Sequence, residues 1–311
     1  MIVAVTGASG VVGSVIVERL EREKLEVRRI VRPETDILDM AGLIKALEGV
    51  DAVVHAAGFV SFNPRQKRRL LDINVEGTRN VVNACLHNGT KKFVHISSVA
   101  ALGRHRTSDI VNEETRWVPG MPASDYAQSK YLSELEVFRG MEEGLNVSVV
   151  NPSVVLAAGD GRRSSSQLFG YVWRQRRFYT DFNLNYVDAR DVAEIVVRLL
   201  HGSYNGERFI ANGGNAPMKK VLQEVAHRFQ KRAPSIKVPT TLTSTAAILE
   251  EIRSIITGKE PAITRQSVKA LREGVFFENL KAKEKLKIEF QSLENTLDWC
   301  CDVYRTNNIN K

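Results

Sequence analysis

Ile2-Val3-Ala4-Val5-Thr6-Gly7-Ala8-Ser9-Gly10-Val11-Val12-Gly13 opens the chain, and its reading decides the fold. The short apolar run Ile2–Thr6 predicts a buried strand, and a helix is expected over Gly13–Glu23. Between them, three glycines stand at the spacing T-G-x-x-G-x-x-G. Gly7 lets the chain turn sharply off the strand. Gly10 lets backbone N–H groups approach a pyrophosphate, and Gly13 lets the helix pack closely. The anion would sit at the positive end of the helix, with Gly7, Ser9, Gly10, Val11, Val12 and Gly13 as its candidate contacts. Glycine triplets also mark plain turns. The position of this one, first strand to first helix, makes it a dinucleotide-binding turn.

Working outward, strands are expected at Val27–Val31, Ala52–His55, Phe93–Ser97 and Val147–Asn151. Helices are expected at Asp39–Leu47, Arg65–Asn88 and Ser124–Glu143. Strand–helix alternation with nearly continuous apolar strands implies an α/β fold, a parallel sheet covered by helices on both faces. The expectation is a Rossmann-type doubly wound sheet over residues 1–155, to which residues 185–211 return. Residues 156–184 and 212–311 would form a smaller, mainly helical C-terminal lobe that binds substrate. In that half, helices are expected at Gln167–Arg176, Val192–Leu200 and Lys219–Lys231, with a strand at Arg208–Ala211.

Composition narrows the function classes. With 311 residues, 43% hydrophobic and 26% charged, the chain has ordinary globular composition. The net charge of +8 suits phosphorylated cofactors, but it is spread along the chain, and no nucleic-acid partner is expected. Cys85, Cys300 and Cys301 offer neither a disulfide framework nor metal spacing, so no metal site is expected. Met1 runs straight into the first strand, and no stretch is long and apolar enough for a membrane span. A cytoplasmic monomer or homodimer acting on a small molecule is the expectation.

The second strand bears on the cofactor. A site that prefers NAD usually carries Asp or Glu at this tip, to hold the ribose hydroxyls. Here Val27-Arg28-Arg29-Ile30-Val31 ends in Arg32, whose guanidinium can pair with a 2′-phosphate. NADP is therefore preferred, with NAD possible.

Tyr126-Ala127-Gln128-Ser129-Lys130 places a tyrosine and a lysine at i and i+4 on one helix face. They follow the strand that ends in Ser97-Ser98, at the sheet edge where such folds bind ligands. Together with the glycine turn, His55-Ala56-Ala57-Gly58, Asn74-Val75-Glu76-Gly77-Thr78, Asn151-Pro152-Ser153 and Tyr186–Ala193, these motifs cover about residues 1–215. In that order they resemble the extended short-chain dehydrogenase/reductase family, which includes the epimerases and dehydratases. The dihydroflavonol-reductase and hydroxysteroid-dehydrogenase branch is the nearest in pattern.

The resemblance implies a reacting set. Tyr126 would be the general acid in carbonyl reduction, Lys130 would favour its phenolate and hold the ribose, and Ser98 would bond the reacting oxygen. Ala56, Ala57 and Gly58 would pass beneath the ribose and phosphates, and Pro152, Ser153 and Val154 would border the nicotinamide. Asp36 and Ile37 would reach adenine. Ser97 is expected to bond backbone at the strand end, Asn74 to be structural, and His55 and His95 to be packing histidines. Asp188 and Asp191 are read as structural carboxylates.

Two departures bear on the reaction. The family's additional strand after the second is missing, which would leave Val27–Val31 at the sheet edge. Ser98-Val99-Ala100 stands where dehydratases carry Thr-Asp-Glu, and Ala101-Leu102-Gly103 lacks the aromatic common in epimerases. Reduction of a ketone or aldehyde is favoured, with a nucleotide-sugar epimerase using tightly bound NAD as the alternative. A cofactor-sensing regulator on this fold would typically lose the Tyr–Lys pair, which is retained here. Phe59, Val60, Ser61 and Phe62 are candidate pocket residues. Arg162, Arg163, Arg174, Arg176 and Arg177 would either grip an anionic substrate or form a solvated face.

Overall fold

The computed structural model describes residues 1–104, 109–120, 123–157, 166–239, 250 and 274–309. In the first half, strands β1 (Ile2–Thr6), β2 (Glu26–Ile30), β3 (Ala52–His55) and β4 (Lys92–Ile96) alternate with helices α1 (Val11–Arg22) and α2 (Met40–Ala46) and a helical run of changing pitch. The short β5 (Ile110–Val111) then precedes helix α5 (Asp125–Glu142), which leads into β6 (Val147–Pro152) and β7 (Val154–Leu156). The second half adds α6 (Gln167–Trp173), β8 (Phe178–Tyr179), β9 (Asn183–Asp188), α7 (Ala189–His201), β10 (Glu207–Ala211), β11 (Gly214–Pro217) and α8 (Met218–Phe229).

Six parallel strands pair in the order β10-β6-β4-β3-β1-β2. The winding reverses direction between β1 and β3, as doubly wound sheets require, and ligands bind such sheets at their carboxyl edge. Both faces of the inner strands β1, β3, β4 and β6 are buried, which explains why they read as largely apolar runs rather than alternating ones. Val3, Val5, Ala52 and Val54 pack beneath α1 and α7, whereas Ala4, Val53, Val147 and Val149 face α2 and the helices before β4 and β6. Leu20 on α1 is fully enclosed there. Its truncation to alanine would cost about 2–5 kcal/mol.

As the sequence implies, β2 is the outermost strand on its side. Residues 31–39, which link β2 to α2, form turns instead of a further strand.

The expected helix Arg65–Asn88 forms as one unbroken helical run whose pitch changes along its length. It passes from a 3-10 turn, Pro64–Gln66, through α3 (Lys67–Leu71) and a wide π turn at Asp72–Glu76 into α4 (Gly77–Asn88). The cause is visible at Asn74, whose side chain is fully engaged outside the helix, while the Thr78 hydroxyl donates to the Asn74 carbonyl at 2.6 Å. A five-residue turn that re-aims one polar side chain suits such demands, and such turns cluster at functional sites.

Residues 189–211 return to the main sheet as α7 and β10, while β9 pairs with β7 and β11 in a separate three-stranded sheet. That sheet carries a second core, in which Phe169, Trp173, Phe229 and Tyr304 pack with α8 and the helix Leu293–Ile309. Asp188 caps α7 by accepting from the Arg190 backbone N–H at 2.7 Å and pairs with the Arg190 guanidinium at 2.6 Å. Arg190 in turn lies 4.5 Å over the Trp299 ring, which ties the C-terminal helix to the site edge. Among the described residues, no helix is long and apolar enough to cross a membrane.

Candidate active site

The turn after β1 is built by close approach. Gly7 has φ +68°, and a Cβ there would stand 2.6 Å from the Ala57 backbone nitrogen. A Cβ on Gly13 would stand 2.1 Å from the Gly7 carbonyl oxygen. Only glycine satisfies both positions, because backbone on the far side cannot move away. Gly10 precedes α1 without a side-chain cap, and the first turn of α1 carries no acid. The Gly10 N–H is taken by the Gly7 carbonyl at 2.8 Å, so an external anion would meet the N–H groups of the first turn of α1. Ser9 and Gly10 are exposed beside them, and Val11 and Val12 begin the helix half-buried. This cradle fits a dinucleotide pyrophosphate.

Ala56, Ala57 and Gly58 continue β3 alongside that turn. The Ala57 N–H donates to the Thr6 hydroxyl at 3.2 Å, and Thr6 also meets His55 Nδ1 at 2.7 Å. The other nitrogen of His55 lies 3.0 Å from Thr78 Oγ1. Burial and nearby Lys130 push the His55 imidazole down to about 3, so it stays neutral. His95 stacks on it at 5.3 Å and is likewise held well below its usual range by burial. Both are packed into the wall behind the site.

Gly58 brings the cofactor turn to the lysine, since a Cβ at Gly58 would stand 3.5 Å from both Lys130 Nζ and Asn74 Oδ1. Asn74 clasps the Phe59 backbone, accepting its N–H at 2.7 Å and donating to its carbonyl at 2.9 Å, and also donates to Ser129 at 2.9 Å. With those bonds made, Asn74 serves to fix the Phe59 turn against α5.

Helix α5 begins at the N-cap Ser124, whose hydroxyl accepts from the Ala127 N–H at 3.1 Å. Tyr126 lies in its first turn and Lys130 one turn on, facing the end of β4. Lys130 is buried and donates to the Ile96 carbonyl at 3.0 Å. Burial draws its ammonium down to about 8, a shift that Glu134 opposes. Burial raises the Tyr126 phenol above its usual range, and a hydrogen bond with Ser98 partly offsets this. At neutral pH the pair thus consists of a protonated phenol beside a largely charged ammonium. Ser98 is the N-cap of a 3-10 turn, Val99–Ala101, accepting from the Ala100 N–H at 3.2 Å.

Ser97 points elsewhere and corrects the expectation of a backbone bond: its hydroxyl donates to the buried Glu134 carboxylate. Strand alternation sends the two serines to opposite sides, and the inward one has found a charged partner. Pro152 ends β6, Ser153 donates its N–H to the Ala211 carbonyl at 2.9 Å, and Val154 is exposed. All three lie at the same carboxyl edge as Ser98.

The adenine side is looser. Arg32 is exposed just past β2. Asp36 turns back to accept the Leu38 N–H at 3.0 Å. Ile37 packs so tightly on α4 that a Cβ at Gly77 would stand 2.5 Å from its Cδ1. Arg162 and Arg163 lie outside the described residues. Arg174, Arg176 and Arg177 are exposed at the end of α6.

Residues 3–211 match the NAD dependent epimerase/dehydratase family. The chain belongs to that family.

As a family member it is an enzyme that works with a nicotinamide dinucleotide. It is 26% identical over 305 residues to the sterol demethylase protein B of Methylococcus capsulatus, covering 92% of this chain and 93% of that protein. It is also 26% identical over 314 residues to a putative dihydroflavonol 4-reductase of Synechocystis, covering 94% and 91%. The crystal structure of gox2253 superposes with a TM-score of 0.84 at 28% identity, over 99% of this chain and 98% of that one.

Motif reading of this epimerase/dehydratase-family enzyme misses the group beneath the site. Glu134 is fully buried, accepts from Asn151 Nδ2 at 2.6 Å and pairs with Arg208 Nε at 2.9 Å. The signal was available: Glu134 stands four residues after Lys130 and eight after Tyr126, on the same inward stripe of α5.

Proposed function

We propose that the chain is an NADP-dependent reductase of a ketone or aldehyde, with Ser98, Tyr126 and Lys130 as its reacting set. The observation that carries this reading is the meeting of Gly58, Lys130, Tyr126 and Ser98 at the carboxyl edge of the sheet. Gly7, Ser9, Gly10, Val11, Val12 and Gly13 would hold the pyrophosphate, Ala56, Ala57, Gly58 and Lys130 the ribose, and Pro152, Ser153 and Val154 the nicotinamide. Asp36 and Ile37 would border the adenine. When bound, the reduced cofactor supplies a hydride to the carbonyl carbon.

The residues then have distinct tasks. Tyr126, protonated at neutral pH, gives its phenolic proton to the carbonyl oxygen, which completes the alcohol. Lys130 carries the positive charge that stabilises the phenolate left behind. Ser98 bonds the same oxygen and fixes its direction. The phenol regains its proton from solvent.

Arg32 supports the NADP preference. It is the charged group at the tip of β2, and Asp36, the nearby carboxylate, is spent on its own turn. For the reaction, one relative is named a putative dihydroflavonol 4-reductase, which supports carbonyl reduction. A second reading, a nucleotide-sugar epimerase holding NAD tightly, draws on the exposed Arg174, Arg176 and Arg177, which suit a diphosphate.

Cofactor bookkeeping separates the two. Purified protein should carry little bound dinucleotide and should oxidise added NADPH in stoichiometric proportion to a carbonyl from an aldehyde and ketone panel. Interconversion of a UDP- or dTDP-sugar with no net change in NADPH absorbance would establish the epimerase instead.

A further inference from the structure

Glu134 is an expensive residue to bury. Its carboxylate is fully enclosed under the end of the sheet, where an unpaired charge is strongly disfavoured. Three elements converge to hold it. Ser97 at the end of β4 donates its hydroxyl, Asn151 on β6 donates its amide at 2.6 Å, and the Arg208 guanidinium on β10 faces the far oxygen as an ion pair at 2.9 Å, outside hydrogen-bond geometry. Asn151 also donates to the Ser98 carbonyl at 3.0 Å. One carboxylate thus locks the helix that carries Tyr126 and Lys130 to the strand end that carries Ser98. Packing alone does not require this. A leucine would fill the position, and buried ion pairs replaced by apolar groups are often neutral or stabilising.

We propose that Glu134 is a positioning residue for the reaction, placing a fixed carboxylate one turn from Lys130 on α5 while it holds Ser98 in register with Tyr126. The inference rests on the reading of Ser98, Tyr126 and Lys130 given above. The groups facing Lys130 are Tyr126 and Glu134 from its own helix, His55 from β3, and His95 and the Ile96 carbonyl from β4; Asn74 and Gly58 approach from the preceding turn. Both histidines are neutral, so neither supplies a counter-charge. Glu134 is the carboxylate that opposes the effect of burial on Lys130. Arg208, a quarter exposed on β10, pairs with Glu134 at 2.9 Å.

The test is a titration of Lys130 in the full-length protein labelled with 13C-lysine, its Cε resonance assigned by loss in Lys130→Met. Glu134→Gln keeps an acceptor for Ser97 and Asn151 but removes the charge. Its midpoint should fall from about 8 by about one pH unit or more, a tenfold change in proton affinity. Glu134→Asp keeps the charge and should hold the midpoint near that of the unaltered protein. Should Glu134→Gln fail to fold, the double variant Glu134→Leu/Arg208→Met removes both charges together and should shift the midpoint in the same direction. A midpoint unmoved by loss of the charge, or moved equally by Glu134→Asp, would overturn the proposal. Turnover by Tyr126→Phe would instead overturn the underlying site assignment and leave the lysine titration as it is.

Discussion

The ring of Phe62 meets the ring of Tyr126 edge-on, with centroids 5.8 Å apart and planes inclined at 63°. This contact joins the turn that follows the cofactor loop to the proposed proton donor. An edge-to-face pair contributes about 0.5–1.5 kcal/mol beyond the area it buries. Phe62→Ala should therefore free the Tyr126 ring and lower kcat/KM by roughly three- to tenfold. NADPH affinity, measured by fluorescence titration, should be nearly unchanged. A variant with unaltered kcat/KM would place Phe62 outside the working site.

Tyr126→Phe removes the proton donor and little else. Turnover should fall by roughly a hundred- to ten-thousandfold, the range that general acid catalysis contributes. The dinucleotide should still bind, because Lys130 and the glycine turn are untouched. Near-normal turnover on any confirmed substrate would remove Tyr126 from its assigned role.

Arg32 provides a test of cofactor choice. Only NADP has a 2′-phosphate to lose contact with, and a hydrogen bond to a charged group is worth about 1.5–3 kcal/mol. Arg32→Ala should raise the Kd for NADPH by roughly ten- to a hundredfold and that for NADH much less. Equal losses for the two would make Arg32 a bystander.

Gly7 links the cofactor site to stability. Alanine there would need a left-handed backbone and would drive its Cβ to 2.6 Å from the Ala57 nitrogen. The combined strain is about 3 kcal/mol. Gly7→Ala should lower the Tm by several degrees and also displace the Ala57 turn, so dinucleotide affinity should fall with it. Unchanged melting would mean that the turn yields more easily than its contacts imply.

Much of the fold was legible because short-range chemistry determines it. The glycine spacing and the continuous apolar strands each announce an element locally, and the edge position of β2 followed from the short connection after Arg32. What escaped was set by distant partners. Nothing near Asn74 in sequence reveals that Phe59 and Ser129 will claim its side chain within a π turn. Ser97 read as a backbone-bonded hydroxyl because its partner, Glu134, lies 37 residues away. Arg208 and Asn151 were unremarkable singly, and they acquire meaning only when β10, β6 and α5 converge on one carboxylate.

Asp191 provides the pH test. It lies buried in the first turn of α7 and accepts the Gln291 N–H at 2.9 Å, tying the segment before the last helix to the core. Burial is the main cause that pushes its carboxyl up to about 7, with the Asp188 and Glu194 charges adding, while the Gln291 N–H and Arg190 act the other way. The folded protein therefore holds a proton at Asp191 that the unfolded chain, with an ordinary value of 3.8, has already lost. The stability contributed by that bound proton is fully present below about pH 4 and declines as pH rises through about 7. Above that window the contribution is gone and the curve is flat. Asp191→Asn keeps an oxygen for Gln291 and carries no charge, so its stability should not show this decline. The gap between the variant and the unaltered protein should widen by on the order of 2–3 kcal/mol between pH 5 and pH 7. In thermal melts this appears as several degrees in Tm, with no further widening from pH 8 to pH 9. A constant gap across the whole range would show that Asp191 stays ionised in the folded protein and that the Gln291 tether bears the negative charge without cost.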